Sequence, residues 1–174
     1  MPPVCACEKI KMRANRKKHL YFICLSAVIA ALYVVLTAIS ASVGLSSGPI
    51  QLRISEALCV LSYFTPAAIP GMTIGCFISN VFTTGNALDI IFGTLATFIG
   101  VLGGYLLRRC KWIVSIPTVL ANALIIPLVL SYGFGVEEGL PYLILTVGVG
   151  ELLSATALGI PFLLLLEKYK FKLD

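Results

Sequence analysis

The sequence predicts an all-α membrane protein: a bundle of six transmembrane helices with its N- and C-termini cytoplasmic. Three observations carry this. Apolar runs of about 20 residues, the length that spans a hydrocarbon core, recur along the 174-residue chain. Hydrophobic residues make up 59% of it and charged residues 12%, where a soluble domain carries about twice that charge. The basic residues cluster at the ends of apolar spans, the pattern that keeps positive loops inside. The formal net charge of +5 is therefore an orientation signal and not a footprint for nucleic acid.

Residues 1–18 are read as a basic cytoplasmic segment, loosely ordered but with helical character near the membrane; Lys9, Lys11, Arg13, Arg16, Lys17 and Lys18 lie in it. Helix 1 is expected from His19 to Val43, too long for a signal-peptide core and followed by no clear cleavage pattern. Gly44 to Pro49 is a loop. Helix 2 is expected from Ser55 to Phe64, too short to span alone. Thr65-Pro66 reads as an N-cap followed by proline at the first helical position, so helix 3 should start there. Pro70-Gly71 implies a kink or a late start, and helix 3 ends near Thr84.

After the Gly85-Asn86 break, Asn86 can cap helix 4, with Asp89 in its first turn, where a carboxylate suits the helix dipole. Helix 4 runs to Leu107, helix 5 from Trp112 to Tyr132 around Pro117 and Pro127, and helix 6 from Leu140 to Leu166. Residues 19–167 thus form the membrane domain, and 168–174, with Lys168, Lys170 and Lys172, a basic cytoplasmic tail. If helices 2 and 3 cross as a pair, Arg108, Arg109 and Lys111 return to the cytoplasmic side; one span over 52–84 would place them outside.

Ionisable side chains inside a membrane are costly and mark functional sites. Arg53 is the one basic residue outside the cytoplasmic clusters, and a helical Arg53-Ile-Ser-Glu56 would put both charges on one face. Gln51, Arg53, Glu56, Asn80 and Asp89 fall near the outer surface. Asn122 and Glu151 each lie about 15 Å into their helices, near the midplane, where they can meet. Glu151, in Gly148-Val-Gly-Glu-Leu-Leu-Ser154, is the sharpest candidate, because glycines let a neighbour approach the backbone. Ala27, Ala30, Ala31 and Ala38 give helix 1 a small-residue face suited to close packing or to docking another membrane protein. Gly100-xxx-Gly104 in helix 4 reads as internal packing. The cysteines have no zinc spacing, no Walker, HExxH or G-x-S-x-G motif is present, and no cofactor is expected.

Gln51-Leu-Arg-Ile-Ser-Glu-Ala-Leu58, Phe64-Thr-Pro-Ala-Ala-Ile-Pro-Gly71, Gly75-Cys-Phe-Ile-Ser-Asn80 and Ala87-Leu-Asp-Ile-Ile-Phe-Gly-Thr-Leu-Ala-Thr97 resemble the QueT family. Its members are substrate-binding S components of energy-coupling factor (ECF) vitamin transporters. The resemblance covers residues 20 to 167; Ser62 departs from it, standing where proline is expected. It implies a non-enzymatic, multi-pass protein of the cell membrane. Such a protein docks through an alanine-rich helix 1 onto a transmembrane coupling subunit driven by two cytoplasmic ATPases. The implied ligand is a queuosine precursor, queuine or another 7-substituted 7-deazaguanine.

For that ligand, Glu151 or Glu56 would accept from adjacent N–H donors. Asn122, Arg53 or Gln51 would donate to the carbonyl, and Asp89 would suit a cationic substituent. Phe64, Phe82, Phe92 and Tyr132 would form walls. Three alternatives stay open: an S component for a different vitamin, a stand-alone proton-coupled carrier using Glu151, and an intramembrane enzyme.

Overall fold

The computed structural model describes residues 6–44 and 52–169, with side chains from residue 16. Within these the chain is helical, with no strand. Helix 1 is Ala6–Ser42, longer than expected. Its early part is rich in Ala, Lys, Arg and Met, strong helix formers, and no Gly or Pro interrupts it. The basic segment is therefore helical from Ala6 and continuous with the span, not loosely ordered. It stops at Gly44, whose φ of 77° is the left-handed conformation of a helix C-terminus.

Helix 2, Ile54–Tyr63, is a 3₁₀ helix and not the α-helix expected. Every residue from Ser55 to Ser62 is buried. It lies in the middle of the bundle, packed by helix 1 and by helices 3, 4 and 6 defined below. A helix apolar on all sides must be enclosed, and the ~2 Å rise of a 3₁₀ helix stretches ten residues to about 20 Å. The Ser62 hydroxyl donates to the Cys59 carbonyl at 2.7 Å, within this tight coil.

Helix 3 is Ala68–Thr83. It starts two residues after the expected Pro66, although Thr65 Oγ1 accepts the Ala67 N–H at 3.2 Å as a cap should. Pro70 is tolerated because first-turn amides have no intrahelical partner. Gly71 and Gly75 face helix 1: a Cβ would lie 2.8 Å from the Ser26 carbonyl oxygen and from Tyr33 Cβ. Helices 1 and 3 thus meet backbone to backbone.

Helix 4 is Asp89–Leu106 and opens with a π turn, Asp89–Gly93. Asn86 caps it, accepting the Leu88 N–H at 2.9 Å, while its amide donates to the Gly133 carbonyl at 2.7 Å. Helix 5 is Ile116–Gly133; successive turns occupy 107–115, so it begins after Trp112. Gly100 and Gly104 do serve internal packing, against Thr118 and Val114 of the following segment. Helix 6 is Leu140–Lys168, with a π segment at Leu152–Leu158. By length and composition, four helices can cross a membrane: Arg16–Ser42, Asp89–Leu106, Ile116–Gly133 and Leu140–Lys168.

Chain direction follows from cross-contacts. Ser40, near the end of helix 1, meets Ile54, and Ser26, in its middle, bonds the Ala67 carbonyl at 3.1 Å, so helix 2 runs antiparallel to helix 1 and helix 3 returns. Lys111 pairs with Glu167 at 3.0 Å. The 107–115 loop and the end of helix 6 therefore share an end of the bundle, with Ser62 packed beside Gly104. Arg53 sits at the other end, beside Asp89.

Candidate functional site

A polar system fills the Arg53 end of the bundle. Helix 1 supplies Tyr33, Thr37 and Ser40, spaced to share one face, and all three are buried. They stitch helix 2 in place. The Tyr33 hydroxyl donates a short hydrogen bond to Glu56 Oε1. Thr37 donates to the Ser55 hydroxyl at 2.8 Å, and the Ile54 N–H reaches Ser40 Oγ at 3.1 Å. The expected shared face of Arg53 and Glu56 does not form. Arg53 is extended, at φ −105°, because it precedes the helix. Its guanidinium lies 3.8 Å from the Asp89 carboxylate instead.

Asp89 is likewise more than a helix cap. It is 2% exposed and accepts the Thr84 hydroxyl at 2.9 Å on the oxygen that faces Arg53. Asn80 donates to the Asp89 backbone carbonyl at 3.0 Å. Only a glycine fits at position 93, because a Cβ would sit 2.8 Å from the Asn80 amide nitrogen and 3.0 Å from Asp89 Oδ1. The wider π turn, a device common at functional sites, begins at this carboxylate. Above the pair opens a cavity of about 340 Å³, lined by Thr37, Ser40, Arg53, Thr83, Thr84 and Asp89 and by Ile126, Leu130 and Phe134. Small-molecule sites start at about this size, with a few polar groups among apolar walls.

Deeper lies a second group. Glu56, Thr118, Asn122, Glu151 and Ser154 are each at most 4% exposed. Glu56 Oε2, Glu151 Oε2, Asn122 Oδ1, Thr118 Oγ1 and Ser154 Oγ have no protein partner, although buried polar atoms are nearly always paired. Asn122, Glu56 and Arg53 lie in the neighbourhood of Glu151. The second π segment begins directly after Glu151. The unpaired atoms are rich in acceptors: two carboxylate oxygens and an amide oxygen accept only, while the Thr118 and Ser154 hydroxyls can also donate. Such a group can grip a flat solute that presents several N–H groups.

The structure thus brings Arg53, Glu56, Asn80, Asp89, Asn122 and Glu151 into one connected region, while Gln51 lies outside the described residues. It does not bring the expected aromatic walls there. Phe64 lies past the far end of helix 2, edge-on to Tyr63 at 5.0 Å. Phe82 is 82% exposed, since two positions from Asn80 on an α-helix is nearly the opposite face. Phe92 and Tyr132 line a separate apolar groove on helices 4 and 5. Phe134 is the aromatic side chain at the polar cavity.

Tyr33, Thr37, Ser40, Thr84, Thr118 and Ser154 were not expected. For helix 1 the signal was present: Ser26, Tyr33, Thr37 and Ser40 mark one helical stripe. Of the small-residue face, Ala27, Ala31 and Ala38 are exposed, whereas Ala30 is 7% exposed behind Gly75. Among the described residues, no group of three or more His, Cys, Asp or Glu side chains is placed to hold a metal ion.

A mostly apolar chain, helical throughout its described residues, that encloses charged and amide side chains is a membrane protein with a polar interior. The chain belongs to the QueT transporter family, whose model matches residues 23–168. It is 41% identical over 92 residues to a queuosine precursor transporter QueT of Lactococcus lactis subsp. cremoris (strain MG1363). That match covers 53% of this chain and 54% of the relative, so the chain spans about half the length of the curated relative it matches. No solved structure matches the chain significantly.

Proposed function

We propose that the chain is the substrate-binding S component of an ECF-type transporter, capturing queuine or a related 7-substituted 7-deazaguanine outside the cell. On this reading residues 19–167 are a six-segment domain of the plasma membrane, between a basic cytoplasmic segment 1–18 and a basic cytoplasmic tail 168–174. All the Lys and Arg residues of the chain except Arg53 lie in the 1–18 segment, the 107–115 loop and the tail, which supports this topology. The chain performs no chemistry; a transmembrane coupling subunit, engaged through Ala27, Ala31 and Ala38, and two separate ATPases supply the driving force.

The observation that carries the substrate is the acceptor-rich group of Glu56, Asn122 and Glu151 behind the Arg53–Asp89 pair. A 7-deazaguanine presents adjacent ring and exocyclic N–H donors, which one carboxylate accepts in a paired manner. Its carbonyl oxygen takes a donor such as the Asn122 amide or Arg53. A cationic 7-aminomethyl group would be neutralised by Asp89 or Glu56. Arg53, Glu56, Asn80, Asp89, Asn122 and Glu151 are the proposed ligand residues, with Gln51 a further donor.

The test is calorimetric binding to purified protein, comparing queuine and 7-aminomethyl-7-deazaguanine with guanine, riboflavin and thiamine. Saturable binding of the deazaguanines alone is expected. Glu151→Gln should weaken it about 10- to 100-fold, the worth of a charge-assisted hydrogen bond of about 1.5–3 kcal/mol. Tight binding of a different vitamin would overturn the substrate.

A further inference from the structure

A second cavity lies at the other end of the bundle, away from the polar site. It measures about 480 Å³ and lies between the early part of helix 1 and the turn joining helices 2 and 3. Lys17, Lys18, Tyr21, Phe22, Leu25 and Pro66 line it, with Thr65 buried at its base. Its architecture is fixed from below. The Ser26 hydroxyl bonds both the Phe22 carbonyl, at 2.9 Å, and the Ala67 carbonyl, at 3.1 Å, clamping helix 1 to that turn.

We propose that this cavity is a binding site for an anionic phospholipid, Lys17 and Lys18 holding the phosphate-bearing headgroup and Phe22, Leu25 and Pro66 receiving the first part of an acyl chain. Arg16, Lys17 and Lys18 directly precede the apolar run that opens at Leu20, which sets the headgroup level beside the two lysines. Phe22 and Leu25 lie one to two helical turns deeper, at the level of the hydrocarbon. Tyr21 stands between them, an amphipathic ring of the kind enriched at that interface. The charge decides the occupant. Among the described residues no carboxylate lines the cavity, and Lys17 and Lys18 give its wall two positive charges. An anionic headgroup satisfies them and a zwitterionic one does so poorly. This site does not depend on the identity of the transported solute.

The test uses the full chain in detergent, titrated with short-chain dihexanoyl-phosphatidylglycerol and read by native mass spectrometry. Saturable binding is expected, with dihexanoyl-phosphatidylcholine binding far more weakly. The K17Q/K18Q variant should lose affinity on the order of thirtyfold, from about one kcal/mol per basic residue at a membrane surface. Both lysines are exposed, so this variant keeps its fold, checked by gel filtration. The R108Q/R109Q variant, which alters a different basic cluster, should bind as the parent does. The proposal is overturned if phosphatidylcholine binds equally, if K17Q/K18Q binds as the parent does, or if R108Q/R109Q loses as much as K17Q/K18Q. Full displacement by glycerol 3-phosphate would overturn it too, by reducing the site to one for any phosphate, as would no binding at all.

Discussion

Replacing Arg53 by methionine keeps an unbranched apolar stem and removes the cation beside Asp89. The pair is 3.8 Å apart, and its side chains are 15% and 3% exposed. At that separation and an effective dielectric of about 20, the attraction is about 4 kcal/mol. Part is offset, because methionine no longer has to be stripped of water and the Thr84 hydroxyl still bonds the carboxylate. A net loss of about 3 kcal/mol is expected, at the low end for an orphaned buried charge. For a chain of this size that is a fall of roughly 6–12 °C in Tm.

The assay is thermal unfolding in detergent, followed by intrinsic fluorescence. The R53M/D89N variant removes both charges and should regain at least half of the loss, since replacing a whole buried pair is far cheaper than breaking it. If the pair also borders the ligand cavity, the double variant recovers stability without recovering affinity for the deazaguanine. A Tm for R53M within about 2 °C of the parent would refute the reasoning, as would a double variant no more stable than the single one.

Tyr33→Phe removes the one donor bonded to Glu56 among the described residues, where the other carboxylate oxygen already lacks a partner; a loss of about 1–3 kcal/mol is expected, read by the same unfolding assay. Gly100→Ala places a methyl group 2.6 Å from Thr118 Cα, so helices 4 and 5 must separate, at a cost of about 1–3 kcal/mol. An unchanged Tm would show that this contact is loose. Ala31→Trp enlarges the exposed face of helix 1. It should leave ligand affinity and Tm as they are while abolishing co-purification with the proposed coupling subunit; full retention of that subunit would discard the docking face.

What could be read from the chain was read through periodicity and cost. The apolar spans, the Asn86 cap, the Gly100–Gly104 contact and the presence of polar side chains such as Glu56, Asn80, Asp89, Asn122 and Glu151 among the apolar helices follow from rules that act within one helix or on one residue in lipid. Helix 2 shows where such rules stop. Its residues Ser55–Ser62 marked a helix too short to span, but local propensity cannot separate a 3₁₀ coil from an α turn. The enclosing helices impose the stretched form. The aromatic walls failed for a related reason. Phe82 and Phe92 are near Asn80 and Asp89 in the chain, but a helical turn or a π turn points them elsewhere.

The sequence by itself determined that this is a helical membrane protein of the QueT family, because hydrophobic length, charge clustering and the 51–97 motif block are properties of the chain. The tertiary structure alone decided which charges pair. Arg53 stands three residues from Glu56 and thirty-six from Asp89, yet it binds Asp89, while Glu56 turns to Tyr33. Pairing depends on the direction of each side chain where helices cross. Those directions follow from where Gly71, Gly75 and Gly100 let backbones meet, which no single helix records.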